Sequence, residues 1–158
     1  MTQARSRTGG AMASNPLVGT WRLISWENRS AVDGRVSYPL GRDAVGYIMY
    51  GDDGHMSVTI SRPDRAKFAT EDLLGGEAQE RAQAAGTYVS YCGRHEFRGD
   101  TVIHRVELSL FPNWVGVAQE RLVEVKGNRL TLSTRPILLG GVRQTAHLIW
   151  EAVGTSEQ

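Results

Sequence analysis

Between Leu17 and Val153 the chain is a succession of about eight short apolar or alternating runs, rich in Val, Ile, Tyr and Trp and divided by glycine and aspartate turns. That texture is strand chemistry, and it leaves few architectures open. The first run extends from Val18 to about Asn28, and Asp33-Gly34 turns it into a broken second strand through Tyr38 and Val45 to Tyr50. Asp53-Gly54 then closes a hairpin with His55 to Ile60, because Asp-Gly dipeptides supply the positive φ that tight hairpin turns need. Later runs span Tyr88 to Phe97, Thr101 to Phe111, Val115 to Val125, Arg129 to Thr134 and Val142 to Val153. They are joined by turns at Gly99-Asp100 and Gly127-Asn128, a Pro112-Asn113-Trp114 corner and a Pro136 to Gly141 loop. Consecutive strands pair most readily as hairpins, and closing the ring removes the exposed edges. The expected fold is therefore a mostly β, antiparallel up-and-down barrel, with a sandwich as the alternative.

One stretch breaks the pattern. From Arg62 to Gly86 the chain carries Pro63, then Thr70-Glu71-Asp72 leading Leu73 and Leu74, then good helix formers from Glu77 to Ala85. Thr70 reads as an N-cap of a first helical piece and Gly86 as the end of a second, with acidic residues placed early as the helix dipole prefers. At 158 residues the chain suits one domain, assigned to residues 16–154, with polar tails at 1–15 and 155–158. The 18 basic and 17 acidic residues are interspersed and leave a net charge of +1, so no positive stripe awaits nucleic acid. The first fifteen residues contain no apolar stretch of the length a signal peptide or membrane span requires. Cys92 is the only cysteine, which rules out an internal disulfide and makes the cytoplasm the expected compartment.

Side chains alternate across a strand, so each run divides into two faces. From Thr101 to Phe111 the apolar face is Val102, His104, Val106, Leu108 and Leu110. From Val117 to Val125 it is Val117, Gln119, Arg121, Val123 and Val125. The Val89 to Phe97 run places Val89, Tyr91, Gly93, His95 and Phe97 inward, and the last strand Ala146, Leu148 and Trp150, with His147 outside. The expected interior is thus apolar but carries Tyr91, His95, His104, Gln119 and Arg121. Desolvating an arginine costs several kcal/mol, so Arg121 needs an acidic partner, water or a polar ligand. Apolar walls with a few orienting polar groups are what a small-molecule site requires, and an eight-stranded barrel has room for one guest.

The segment Leu17-Val18-Gly19-Thr20-Trp21 carries a Gly-x-Trp signature of calycin first strands. The stretch Tyr91-x-Gly93, then His104, then Ser109-Leu110-Phe111-Pro112-Asn113-Trp114-Val115-Gly116, then Gln119-x-Arg121, is more specific. On these residues the sequence resembles the lipocalin-like domain family of bacterial and fungal proteins, within the wider calycin group, from Leu17 to Val153. The resemblance implies a barrel closed at one end by Trp21, its mouth partly covered by the Arg62 to Gly86 insertion. Related calycins include carriers, cyclases, isomerases and pericyclases of secondary metabolism. The first strand also looks like that of fatty-acid binding proteins, but their closing Arg-x-Tyr clamp is replaced here by Leu148 and Trp150.

The candidate chemistry follows. His104 reads as an acid/base, since an apolar setting holds imidazole neutral; the alternative is a core histidine satisfied by a neighbouring hydroxyl or amide. Arg121 would stabilise negative charge on a substrate oxygen, or else form a structural ion pair. Tyr91, His95 and Gln119 would orient the guest, Asn113 and Trp114 would cap the pocket or plug it, and Tyr47, Met49, Met56, Val58, Val106 and Leu108 would supply wall. The histidines do not fall at ligand spacings, and no phosphate loop or nucleotide fingerprint is present, so neither metal nor cofactor is expected. The expected function is binding of a small hydrophobic molecule with a cofactor-free isomerisation or cyclisation. A non-catalytic carrier or sensor is the alternative, and a homodimer is compatible with either.

Overall fold

The fold is taken from a computed structural model that describes residues 14–154, so the expectations for residues 1–13 and 155–158 lie outside the described residues. Asn15, assigned to the tail by sequence, takes part in the turn into the first strand: its side-chain carbonyl accepts from the Leu17 amide at 2.9 Å. The strands are β1 (Gly19–Ser30), β2 (Val36–Ser37), β3 (Val45–Tyr50), β4 (His55–Ser61), β5 (Tyr88–Phe97), β6 (Thr101–Ser109), β7 (Ala118–Lys126), β8 (Arg129–Ser133), β9 (Ile137–Leu139) and β10 (Val142–Ala152). Neighbours pair antiparallel in the order β1-β3-β4-β5-β6-β7-β8-β10, and β10 returns to β1 to close an eight-stranded barrel. The two- and three-residue strands β2 and β9 hang as short ribbons on β1 and β10. This is the up-and-down barrel the turn pattern predicts. The Asp-Gly turns behave as expected, with Gly34 and Gly54 at φ of 71° and 89°.

The Arg62 to Gly86 insertion holds one helix rather than two pieces, α1 (Ala78–Gly86). Its N-cap is Glu77, whose amide donates to the Glu80 side chain at 3.1 Å, and Gly86 is its last residue. Thr70 caps no helix. Its hydroxyl accepts from the Asp72 amide at 3.1 Å, and the Asp72 carboxylate accepts from the Leu74 amide at 2.9 Å. These local bonds capture the amides a helix would need, and the run before Gly75-Gly76 is too short to nucleate one. Among the described residues, no helix is long and apolar enough to cross a membrane.

The barrel's deep half is packed solid. Trp21, Leu23, Ile48, Leu130, Leu132 and Trp150 are all nearly inaccessible, and the Trp21 indole N–H donates to the Leu17 carbonyl at 2.8 Å, fastening the chain's entry under the closed end. Inward and outward positions follow strict alternation except at two places where the register shifts. In β1 the shift falls between Leu23 and Ser25, which carries the inward set from Leu23 to Trp26 and Asn28. In β6 it falls opposite Cys92 and Gly93: Gly93 pairs with Val106, but Cys92 pairs with Leu108, leaving Glu107 as the extra residue of a β-bulge.

Gly93 is required at this crossing. A Cβ there would lie 1.9 Å from the Arg105 carbonyl oxygen and 2.9 Å from the Glu107 nitrogen, both backbone atoms. The bulge also corrects one face assignment. Beyond Glu107 every side chain of β6 switches sides, so Leu108 is 68 % exposed on the outer wall and Ser109 takes the position opposite Tyr91.

Candidate ligand site

A cavity of about 980 Å³ opens at the end of the barrel opposite Trp21's packing, near the upper end of the range of roughly 300–1,000 Å³ usual for small-molecule sites. Its rim is made by the last residues of α1 (Ala85, Gly86), the Phe111 to Trp114 corner and the Thr134 to Gly140 connection. Val89, Leu110, Val117, Ile137 and Leu139 supply apolar wall, and Gln119 and Arg121 of β7 bring polar groups to it. A smaller hollow of about 310 Å³ between Arg62–Phe68 and α1 is polar and holds none of the predicted site residues.

The polar groups form a layered arrangement. Gln119 sits directly across from His104 in the β6–β7 ladder, and its side-chain oxygen accepts from the Arg121 guanidinium; a second guanidinium nitrogen donates to the Glu120 carbonyl at 3.0 Å. Arg121 is half-buried, and none of the ion pairs among the described residues includes it. Trp114 stands edge-on to Phe111 on one side and to Tyr91 on the other, with ring centroids 5.4 and 5.6 Å apart. It therefore forms part of the cavity lining and also covers the tyrosine beneath.

Below this level lies a buried chain of aromatic groups. His104, 1 % exposed, is held between two phenols, with Tyr50 Oη 2.7 Å from Nε2 and Tyr91 Oη 2.8 Å from Nδ1. Burial, reinforced by the positive charge of Arg121 and by His95, pushes the His104 pKa down to about 3, so the ring is neutral at any physiological pH. Burial raises both phenols above the ordinary tyrosine range, with the positive charge of Arg121 opposing the rise at each. His95 packs edge-on to Tyr50 at 5.1 Å and donates from Nε2 to the Gly51 carbonyl at 2.8 Å; its Nδ1 is buried without a partner.

The sequence-predicted residues thus fall into three groups. Gln119, Arg121 and Trp114 line the cavity. Tyr91, His95, His104, Met56, Val58 and Val106 face inward but belong to the filled layer beneath it. Tyr47, Met49, Leu108 and Asn113 do not face the interior. Tyr47 and Met49 are 48 % and 49 % exposed because Ile48 and Tyr50 are the inward members of β3, and alternation sends the odd positions out. Leu108 is turned out by the bulge, and Asn113 is exposed on the 3-10 turn Pro112–Trp114. The reading from sequence put Val89 on the inward face but missed the wall residues Phe111, Ile137 and Leu139. An apolar triplet inside a proline- and glycine-bounded loop, Ile137-Leu138-Leu139, was the available signal. Among the described residues, no three His, Cys, Asp or Glu side chains converge as a metal centre would need.

A closed antiparallel barrel, plugged at one end and holding an apolar cavity with a few polar groups at the other, is a lipocalin-type barrel. Residues 18–153 match the lipocalin-like domain family, and the chain belongs to it. Among curated proteins it is similar to the 4'-hydroxy-3'-methoxypropiophenone carrier protein of Aspergillus oryzae, with 38 % identity over 104 residues, which span 60 % of this chain and 94 % of that protein. Among solved structures it is similar to a mutant of the fluorescent protein UnaG, with 16 % identity, a TM-score of 0.38 and coverage of 86 % of this chain and 95 % of the other.

Proposed function

We propose that this protein is a carrier: it holds a small, mostly apolar aromatic molecule bearing oxygen substituents in the upper cavity and releases it chemically unchanged. The observation that carries the reading is the cavity, about 980 Å³, walled by Val89, Leu110, Phe111, Trp114, Val117 and Ile137 and furnished with an arginine that has no carboxylate partner among the described residues. Apolar surface supplies affinity for an aromatic body, and a half-buried guanidinium rewards a ligand that brings an oxygen to it. The similarity to a carrier of a hydroxylated aryl ketone points to the same chemical class.

The placement of His104 favours carriage over an isomerase or cyclase role. Both ring nitrogens are occupied by tyrosine hydroxyls, the side chain does not line the cavity, and a conjugate acid near pKa 3 makes a weak base. The test is a titration with 4'-hydroxy-3'-methoxypropiophenone followed by calorimetry and by tryptophan fluorescence in wild type and Trp114→Phe, with the ligand then recovered and analysed by mass spectrometry and NMR. Saturable one-to-one binding, a fluorescence change lost in the variant and an unaltered ligand are expected. A converted ligand overturns the carrier reading, and absence of binding overturns the assigned ligand class.

A further inference from the structure

The charge around the upper cavity is lopsided. Its charged lining residues are Arg121, Arg135, Arg143 and Glu120, three arginines against one carboxylate, in a chain whose 18 basic and 17 acidic residues otherwise nearly cancel. Arg135 is answered by Glu120, with its guanidinium nitrogen 3.2 Å from the carboxylate. Arg121 and Arg143 belong to none of the ion pairs among the described residues. They stand on β7 and β10, the two strands that flank β8, whereas the wall supplied by Val89, Leu110, Phe111 and Trp114 is uncharged. Arg143 is exposed on the rim, and Arg121 is half-buried. Of the five N–H groups on the Arg121 guanidinium, one donates to the Glu120 carbonyl and one to the Gln119 side-chain oxygen, both uncharged acceptors. The groups beneath it, His104, Tyr91 and Tyr50, are buried and neutral, and its charge reaches all three, adding to the effect of burial at the imidazole and opposing it at both phenols. A cation in such a setting without a counter-ion carries a desolvation cost that a paired anion offsets, and a guanidinium meets an anionic oxygen with charge-assisted hydrogen bonds.

We propose that the cavity takes its ligand as an organic anion, with the aromatic body against Val89, Phe111 and Trp114, one acidic group, phenolate or carboxylate, held by Arg121, and Arg143 on the rim drawing the anion in. The inference rests on the proposed carrier function and specifies the charge of what is carried. Gln119 holds the guanidinium from the side through its amide oxygen, which fixes the direction of the cation without neutralising it. A phenol with an acyl group para to its hydroxyl suits such a site, because the carbonyl delocalises the phenolate charge and makes that phenol more acidic than the side chain of tyrosine.

Two measurements test it. The first compares 1-anilinonaphthalene-8-sulfonate with its uncharged parent N-phenyl-1-naphthylamine, dyes that differ only in the sulfonate and that both brighten in an apolar cavity. The sulfonate is expected to bind wild type about ten- to a hundredfold more tightly, the usual worth of a hydrogen bond to a charged group. Arg121→Met should remove most of that preference and leave the affinity for the uncharged dye unchanged, which also shows the variant to be folded. Arg143→Gln should slow association of the sulfonate and weaken its salt dependence, as loss of an exposed steering charge does, and an unaltered rate strikes Arg143 from the site. Equal affinity for the two dyes in wild type, or a preference undiminished in Arg121→Met, overturns the inference while leaving a carrier intact. Failure of both dyes to bind overturns it together with the open apolar cavity. The second measurement follows the absorbance of 4'-hydroxy-3'-methoxypropiophenone against pH, free and bound, since its phenolate absorbs at longer wavelength than its phenol. Binding should lower the ligand's own phenol pKa by about one to two pH units, the same ten- to hundredfold preference seen through linkage. A bound phenol that ionises no earlier than the free one refutes anion selection. Should this ketone not bind at all, the ligand class of the carrier reading falls, and the dye comparison still decides the charge.

Discussion

Acid should loosen this barrel earlier than its carboxylates alone require, and His104 is the reason. In the unfolded chain its imidazole titrates near the ordinary value of 6.5, whereas in the folded barrel burial holds it at about 3. A depressed folded-state pKa means that the unfolded chain binds the proton first, so stability is intact above about pH 6.5 and falls steadily as the pH drops toward 3. With those two values the free energy of unfolding declines by about 2 kcal/mol between about pH 7 and pH 5, since each unit of separation is worth about 1.4 kcal/mol once the unfolded form is protonated. The structural cause is explicit: protonation would bury a charge beside Arg121, in a site where the ring's two hydrogen-bond partners are the neutral phenols of Tyr50 and Tyr91.

Urea unfolding followed by circular dichroism at intervals across that range measures the slope, and His104→Gln should flatten most of it whatever the variant's absolute stability. His147, whose pKa is also lowered by partial burial and by Arg29, contributes in the same direction, and His147→Gln isolates that smaller part. The carboxylates held low by hydrogen bonds, Asp33, Asp53, Glu80 and Glu96, lose their contributions only at more acidic pH and do not blur the window. A wild-type stability that is level between about pH 7 and pH 5, or a slope unchanged in His104→Gln, would refute the picture of a sealed, neutral imidazole.

Other outcomes follow from the same geometry. Tyr50→Phe removes the recorded partner of His104 Nε2 and leaves a buried polar atom unsatisfied, which should lower stability by about 1–3 kcal/mol in chemical denaturation. Gly93→Ala forces a methyl group against the Arg105 carbonyl and the Glu107 amide, backbone atoms that cannot rotate away, so a loss of about 1–3 kcal/mol or more and a lower Tm are expected. Tyr47→Ser and Met49→Ser alter the outer wall of β3 and should leave ligand affinity within about twofold of wild type by calorimetry, on the usual scale for surface positions away from a site; a tenfold change would mean the face assignment is wrong.

Leu108 shows where reading by alternation stops. Leu108 shares parity with His104 and Val106, and nothing within β6 announces that Glu107 is an extra residue. The bulge arises because Gly93, on another strand, lets the β6 backbone approach closely. Tyr47 and Met49 were misplaced for a simpler reason: a half-apolar strand such as Val45 to Tyr50 offers both faces as candidates, and burial of Tyr50 under His95 and His104 settles the choice. Gln119 and Arg121, by contrast, sit on an otherwise apolar stripe of β7 and were legible as cavity residues from the strand alone.

Local chemistry therefore determined the barrel, since turn dipeptides and a two-residue period act over a few neighbours and carry through to closure without knowledge of distant partners. The tertiary structure alone decided what the interior does. Tyr50 and His104 are 54 positions apart and meet only because β3 and β6 curl toward one axis. That meeting converts the most attractive catalytic candidate into a sealed core group and leaves Arg121 to face the cavity. Hydrogen-bond partners across a barrel depend on register and closure, which are properties of the whole ring rather than of any one strand.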